Sequence, residues 1–104
     1  MLVEATVFAA LGDDTRLAII AQLRTGPASI VSLTGEANMS RQAVTKHLHV
    51  LEKAGLVTHL RLGRTTIWQL ERQRFDAARH YLDIISRQWD GALERLRVQV
   101  ETKI

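Results

Sequence analysis

There is no cysteine among the 104 residues. Disulfides, thiolate metal sites and thiol redox sensing are therefore excluded, and a small disulfide-free chain fits the cytoplasm. No apolar run approaches the roughly 18 residues that span a bilayer, so no membrane partner is expected. The stretch Met1 to Ala10 has no basic segment and contains Glu4, which does not read as a signal peptide. Enzymatic constellations are missing as well. There is no glycine-rich phosphate loop, no nucleophile with a base and an orienting partner, and no pair of carboxylates in an apolar setting. The chain is expected to be no enzyme and to carry no cofactor. Acid is scarce in one region: residues 38–66 hold Glu52 alone against Arg41, Lys46, Lys53, Arg61 and Arg64. Residues 1–37 carry two basic and four acidic groups, and residues 67–104 carry seven basic and six acidic groups. The overall charge of +3 is thus concentrated in the middle of the chain, where a polyanion would be met.

What is present is one domain's worth of chain, with 46% apolar residues and a modest core. Its most informative stretch runs from Asn38 to Gly63. Ser40 can accept a free backbone N–H and start a helix. Val44, Leu48, Leu51 and Ala54 then share one face, and Gly55 sits where a left-handed residue ends a helix. The opposite face carries Arg41, Gln42, Thr45, Lys46 and His49, which are donors suited to base edges or phosphates. A short helix with one apolar and one cationic face is what a recognition helix needs.

Before this stretch, Val3, Val7, Ala10 and Leu11, with Phe8 beside them, predict a first helix ending at Gly12. Asp13 or Asp14 caps a second, whose apolar face is Leu17, Ile20 and Leu23 together with Ile19. Gly26-Pro27 is a turn, and Ala28 to Ile30 is a brief extended segment. Ser29 or Ser32 caps a third helix covering Val31, Leu33 and Ala37. Two short helices around the turn Ala37-Asn38-Met39 make a helix-turn-helix. After Gly55 the period falls to two. Val57 to Leu62 and Thr65 to Leu70 flank Gly63-Arg64, which is a hairpin signal. A hairpin in that place is a wing, with Arg61 and Arg64 at its tip to reach a phosphate or a minor groove.

From Gln73 the helical period returns. Phe75, Ala78, Leu82, Ile85, Trp89, Leu93, Leu96 and Val100 follow spacings of three and four, which predicts a helix of about 25 residues and roughly 38 Å. So small a domain cannot cover that stripe. A second copy of the chain is the simplest surface for Trp89, Leu93 and Leu96; folding back onto the first helix is the alternative. Gly91 marks a bend or a close approach.

The element order, together with Phe8-x-x-Leu11-Gly12-Asp13-x-Thr15-Arg16-Leu17 and Ser40-Arg41-x-Ala43-Val44-x-x-His47-Leu48-x-x-Leu51-x-x-Ala54-Gly55-Leu56-Val57, resembles the ArsR/SmtB family of bacterial transcriptional repressors. The resemblance spans about residues 5–90. It implies a mainly α fold with a small β-hairpin, a winged helix-turn-helix that dimerises through its first and last helices and binds imperfect palindromes. In residue terms it implies one domain over 1–104, with the helix-turn-helix at 28–55, the wing at 56–70 and the dimerisation helix at 73–101. It also implies that Ser40, Arg41, Gln42, Thr45, Lys46 and His49 face double-stranded DNA, with Arg61 and Arg64 on the wing. The homodimer would use Val3, Val7, Leu82, Ile85, Trp89, Leu93 and Leu96. The chain departs from the family at Asp14, where a proline is usual, and in its metal ligands. The third helix has no cysteine. The last has only His80, with Asp76 and Asp83 nearby, and no second histidine, so no metal is expected. The resemblance is to members relieved by an unknown small molecule or protein, or by nothing known.

Single residues read as follows. His47 is a packed, hydrogen-bonded helix residue, and His59 is a surface one. Arg16 holds either a phosphate or an acidic residue at the core rim, with the salt bridge favoured. Trp68 and Trp89 are core or interface. Two other functions stand beside the repressor. One is a protein-interaction module using the apolar last helix. The other is a repressor sensing a small molecule near Tyr81, Ile85 and Trp89.

Overall fold

Side chains that accept a backbone N–H set three of the five helix starts. The computed structural model describes the backbone of residues 2–102, with side chains described from residue 5 onward. After the first helix, α1 (Leu2–Leu11), the Asp13 carboxylate accepts from Arg16 N at 3.0 Å and opens α2 (Asp14–Leu23). The Ser29 hydroxyl accepts from Ser32 N at 3.1 Å and opens α3 (Ile30–Ala37). The Ser40 hydroxyl accepts from Ala43 N at 3.1 Å and opens α4 (Arg41–Lys53). Each lies at the position before the helix where an oxygen can satisfy an orphan donor. Asn38 takes a left-handed conformation, φ 52°, and turns the chain between α3 and α4.

The end of α4 is as well defined. Gly55 has φ 80°, its N–H donates to Glu52 O at 2.9 Å, and Leu56 N donates to Leu51 O at 3.0 Å. This paired closure needs a residue that tolerates positive φ. The chain then enters β2 (Val57–Leu62) and β3 (Thr65–Leu70), which pair antiparallel from Val57↔Leu70 to Leu62↔Thr65. The extended segment expected at Ala28 is a third strand, β1 (Ala28–Ser29), paired antiparallel with β3. The sheet order is β1-β3-β2. A hairpin alone is marginal, and this added edge ties the wing to the start of α3.

The core is built where the helices meet the base of the sheet. Val44, Leu48 and Leu51 of α4 are 0% exposed and pack with Ile19, Leu23, Leu33, Leu56, Val57 and Trp68. Two expectations need correcting. Leu17 is 47% exposed, because α2 turns Ile19, Ile20 and Leu23 inward instead. Val7, expected between copies, is 1% exposed within the single chain and belongs to the core with Ala10. Val3 falls among the residues whose side chains lie outside the described set.

The last helix, α5 (Arg72–Thr102), has 31 residues and passes through Gly91 without interruption. Its first turns fold back on α1: Ala78 is buried, and the Tyr81 and Phe8 rings lie 6.0 Å apart. Beyond them Leu82, Ile85, Trp89, Leu93, Leu96 and Val100 remain exposed. Farther along, Arg97 pairs with Glu94 at 2.6 Å and with Glu101 at 2.8 Å. These exposed pairs at three and four residues add little to stability but suit a helix standing in solvent. They draw the Glu94 carboxyl below, and raise Arg97 above, their ordinary pKa values.

Candidate nucleic-acid interface

The polar side of α4 divides into two stripes. Residues four apart lie one above another on a helix. Arg41, Thr45 and His49 form one stripe, which borders a groove of about 280 Å³ against the sheet. The far wall holds His59, Arg61, Thr66 and Trp68, and Ile30 completes the lining. The hairpin register explains that wall: His59 opposes Trp68 and Arg61 opposes Thr66, so all four project from one face of the ribbon. Gln42 and Lys46 form the second stripe, exposed on the side away from the apolar face. Thus the six α4 residues expected to meet a duplex do not all point the same way. Two of them already spend a hydroxyl inside the helix: Ser40 accepts from Ala43 N, and Thr45 donates to Arg41 O at 2.8 Å.

Trp68 is the floor of the groove at 3% exposure, with the His59 ring 4.7 Å and the His49 ring 6.1 Å from its own. Its indole N–H is buried and has no acceptor among the described residues. His59 is exposed, as expected, and its Nδ1 hydrogen-bonds the Glu52 carboxylate. Sequence reasoning missed Thr66 and Trp68 as partners of α4. The cross-strand pairing of β2 with β3 is the signal that finds them.

At the wing tip Leu62 and Thr65 close a two-residue loop. Gly63 has φ 61° and Arg64 is not left-handed, the pattern of a type II′ turn. Arg61 Nε donates to the Gly63 carbonyl at 3.2 Å, which holds this guanidinium beside the loop, while Arg64 is exposed at the tip.

Behind α4 lies a second polar cluster. Arg16 Nε donates to Ala10 O at 2.6 Å and Nη2 to Ala9 O at 3.5 Å, so the guanidinium serves the carbonyl end of α1. The favoured salt bridge gives way to this cap. Arg16 Nη1 also lies 3.4 Å from His47 Nδ1, and that nitrogen lies 3.8 Å from Asp13 Oδ2. The backbone N–H of Arg16 holds the Asp13 carboxyl below its ordinary range, and the nearby charge of the Arg16 guanidinium acts the same way.

A family described as a helix-turn-helix domain matches residues 11–59. The chain is 39% identical over 84 residues to the HTH-type transcriptional regulator Rv2034 of Mycobacterium tuberculosis, covering 81% of this chain and 76% of that protein. It is also 34% identical to a solved ArsR-like transcriptional regulator from Rhodococcus sp. RHA1. That match has a TM-score of 0.81 and covers 91% of this chain and 90% of the other. The chain belongs to the ArsR/SmtB family of transcriptional regulators. Within this ArsR-type fold, α3 and α4 are the helix-turn-helix and β2–β3 the wing. A winged helix-turn-helix domain of Mycobacterium bovis, described as homodimeric, shares the fold at 22% identity and a TM-score of 0.64, over 88% of this chain and 82% of that one. His80, Asp76 and Asp83 are exposed on α5, and no cluster of three or more His, Asp or Glu side chains placed to share a metal ion occurs among the described residues. Nor is any helix among those residues long and apolar enough to cross a membrane.

Proposed function

We propose that this ArsR-type regulator acts in the cytoplasm as a homodimeric repressor that covers a promoter by binding an imperfect palindrome. The observation that carries the reading is the division of α4. Val44, Leu48 and Leu51 anchor it in the core, while Gln42 and Lys46 stand exposed on its outer side, next to a wing tipped with Arg61 and Arg64. A helix held this firmly by one face can enter a major groove with the other. Gln42 suits adenine and Lys46 suits guanine, each worth about 1–3 kcal/mol of discrimination. Arg64 is placed to meet a phosphate or the minor groove.

The dimer rests on α5. Leu82, Ile85, Trp89, Leu93 and Leu96 are exposed along one stripe, and burying such a stripe against a second copy removes it from water. The M. bovis domain that shares this fold is described as homodimeric, which supports pairing of two copies. With α1 buried through Val7, its part in the interface falls to outward residues such as Ala5 and Ala9. Two α4 helices related by a two-fold axis would address half-sites about 34 Å apart, or a multiple of that.

Fragments of the host genome that the protein retains at low salt, followed by footprinting, test this. The expected result is a symmetric footprint, weakened by Lys46→Ala and altered in sequence preference by Gln42→Ala. A protein that retards no fragment at low salt, or whose Lys46→Ala and Gln42→Ala variants bind like the parent, would refute it.

A further inference from the structure

We infer that the groove between α4 and the inner face of the hairpin is a slot for a single phosphate group. Its lining includes two arginines, Arg41 on α4 and Arg61 on β2, together with His49, His59, Thr66 and Thr45. No acid lines the groove among the described residues. Glu52 lies close by, but its carboxylate is engaged by His59 Nδ1. Two like charges held across one cleft repel each other, and an anion seated between them reverses that term. Arginine presents donors in a planar fork that matches phosphate oxygens. A groove of about 280 Å³ is large enough for a tetrahedral oxyanion.

A second observation is independent of charge. The Trp68 indole N–H lies at the floor without an acceptor among the described residues. Buried donors are nearly always paired. The N–H is sealed from solvent, so an incoming oxygen reaches it only as the groove lining shifts. Occupation of the slot is therefore reported by Trp68 itself.

This assignment changes what the α4 residues do. Arg41, Thr45 and His49 hold a phosphate rather than read bases, and sequence reading falls to Gln42 and Lys46. The phosphate is either a backbone diester of a bound duplex, a form that rests on the proposed DNA-binding function, or a free phosphate group, which does not.

Two titrations separate these sources. Both follow the Trp68 indole signal in ¹H–¹⁵N spectra, identified by its persistence in Trp89→Phe. Inorganic phosphate is added at constant ionic strength against chloride, and a short DNA duplex of arbitrary sequence is added separately. The expected result is a saturable shift of the Trp68 signal in at least one titration. That shift is lost in the double variant Arg41→Gln/Arg61→Gln, whose thermal midpoint matches the parent, and kept in the phosphate titration of Lys46→Gln. A shift with DNA alone assigns the slot to the backbone, and one with phosphate alone to a free anion. Shifts with both, in mutual competition, make the slot common to the two. In the duplex arm, Arg61→Gln should lower the slope of log affinity against log salt by about one, equally for all sequences. The slot is overturned if neither titration moves the signal, if the shift survives the double variant, or if Arg61→Gln weakens some sequences and spares others. A parent that binds no duplex refutes the proposed function, while the phosphate titration still decides the slot.

Discussion

The junction of α1, α2 and α4 depends on three side chains, Asp13, Arg16 and His47, and each can be tested separately. Arg16 joins two α1 carbonyls to His47 of the recognition helix. Arg16→Met should cost about 1–3 kcal/mol in denaturant unfolding, the usual range for losing hydrogen bonds from a charged donor. Asp13 contributes differently. Its folded pKa lies below the ordinary value because the Arg16 N–H bonds the charged form. Stability from this carboxylate is therefore fully present above the ordinary carboxylate pKa and is lost as pH falls through the lowered folded value. Asp13→Ala should lower the thermal midpoint at neutral pH, and the gap from the parent should close in acid below the carboxylate range. Ser40 shows why a donor-rich list overstates a binding surface. Its hydroxyl caps α4, so Ser40→Ala should cost about 1 kcal/mol of stability whether or not DNA is present.

Among the elements, α4 is where sequence and structure agree most closely. Its cap at Ser40, its apolar face and its glycine stop were all legible because each is local: one hydroxyl, one 3.6-residue period, one positive φ. Leu48, fully enclosed, should cost about 2–5 kcal/mol as Leu48→Ala in the same unfolding experiment. Gly55→Ala should be costly for two reasons. Its φ of 80° strains an L residue, and a Cβ there would lie 2.9 Å from Arg74 Nε. About 1–2 kcal/mol is expected from the backbone term. Gly63→Ala has a similar φ but open space around it, so it isolates the strain from the collision. What was not legible is non-local. The pairing of β1 with β3 joins residues about forty apart in sequence. Leu17 and Ile19 are both plausible core positions by period, and the packing of α2 against α1, α3, α4 and β3 decides between them. The two stripes of α4 become distinct only once the wing is seen standing against one of them.

At the scale of the whole molecule, the single chain is longer than its size requires. Its extents are 70 × 24 × 23 Å and its radius of gyration is 19.1 Å, against about 13 Å for a compact chain of this length. The difference is α5, roughly 46 Å of helix whose outer half leaves Trp89, Leu93, Leu96 and Val100 exposed. An apolar stripe on an unsupported helix calls for a partner, and Trp89 is its largest exposed side chain at 62%. Trp89→Glu should leave the far-UV dichroism of the helices intact, shift sedimentation from dimer to monomer, and abolish cooperative binding to a two-half-site fragment. Unchanged sedimentation would place the interface elsewhere. The Arg16 bridge also matters at this scale, because α1 lies against α5 and α4 faces outward. A side chain fastened at both ends has little slack. Two of its three contacts end on α1 and one on His47, so this tie from the α1–α5 side to α4 runs through a single nitrogen pair.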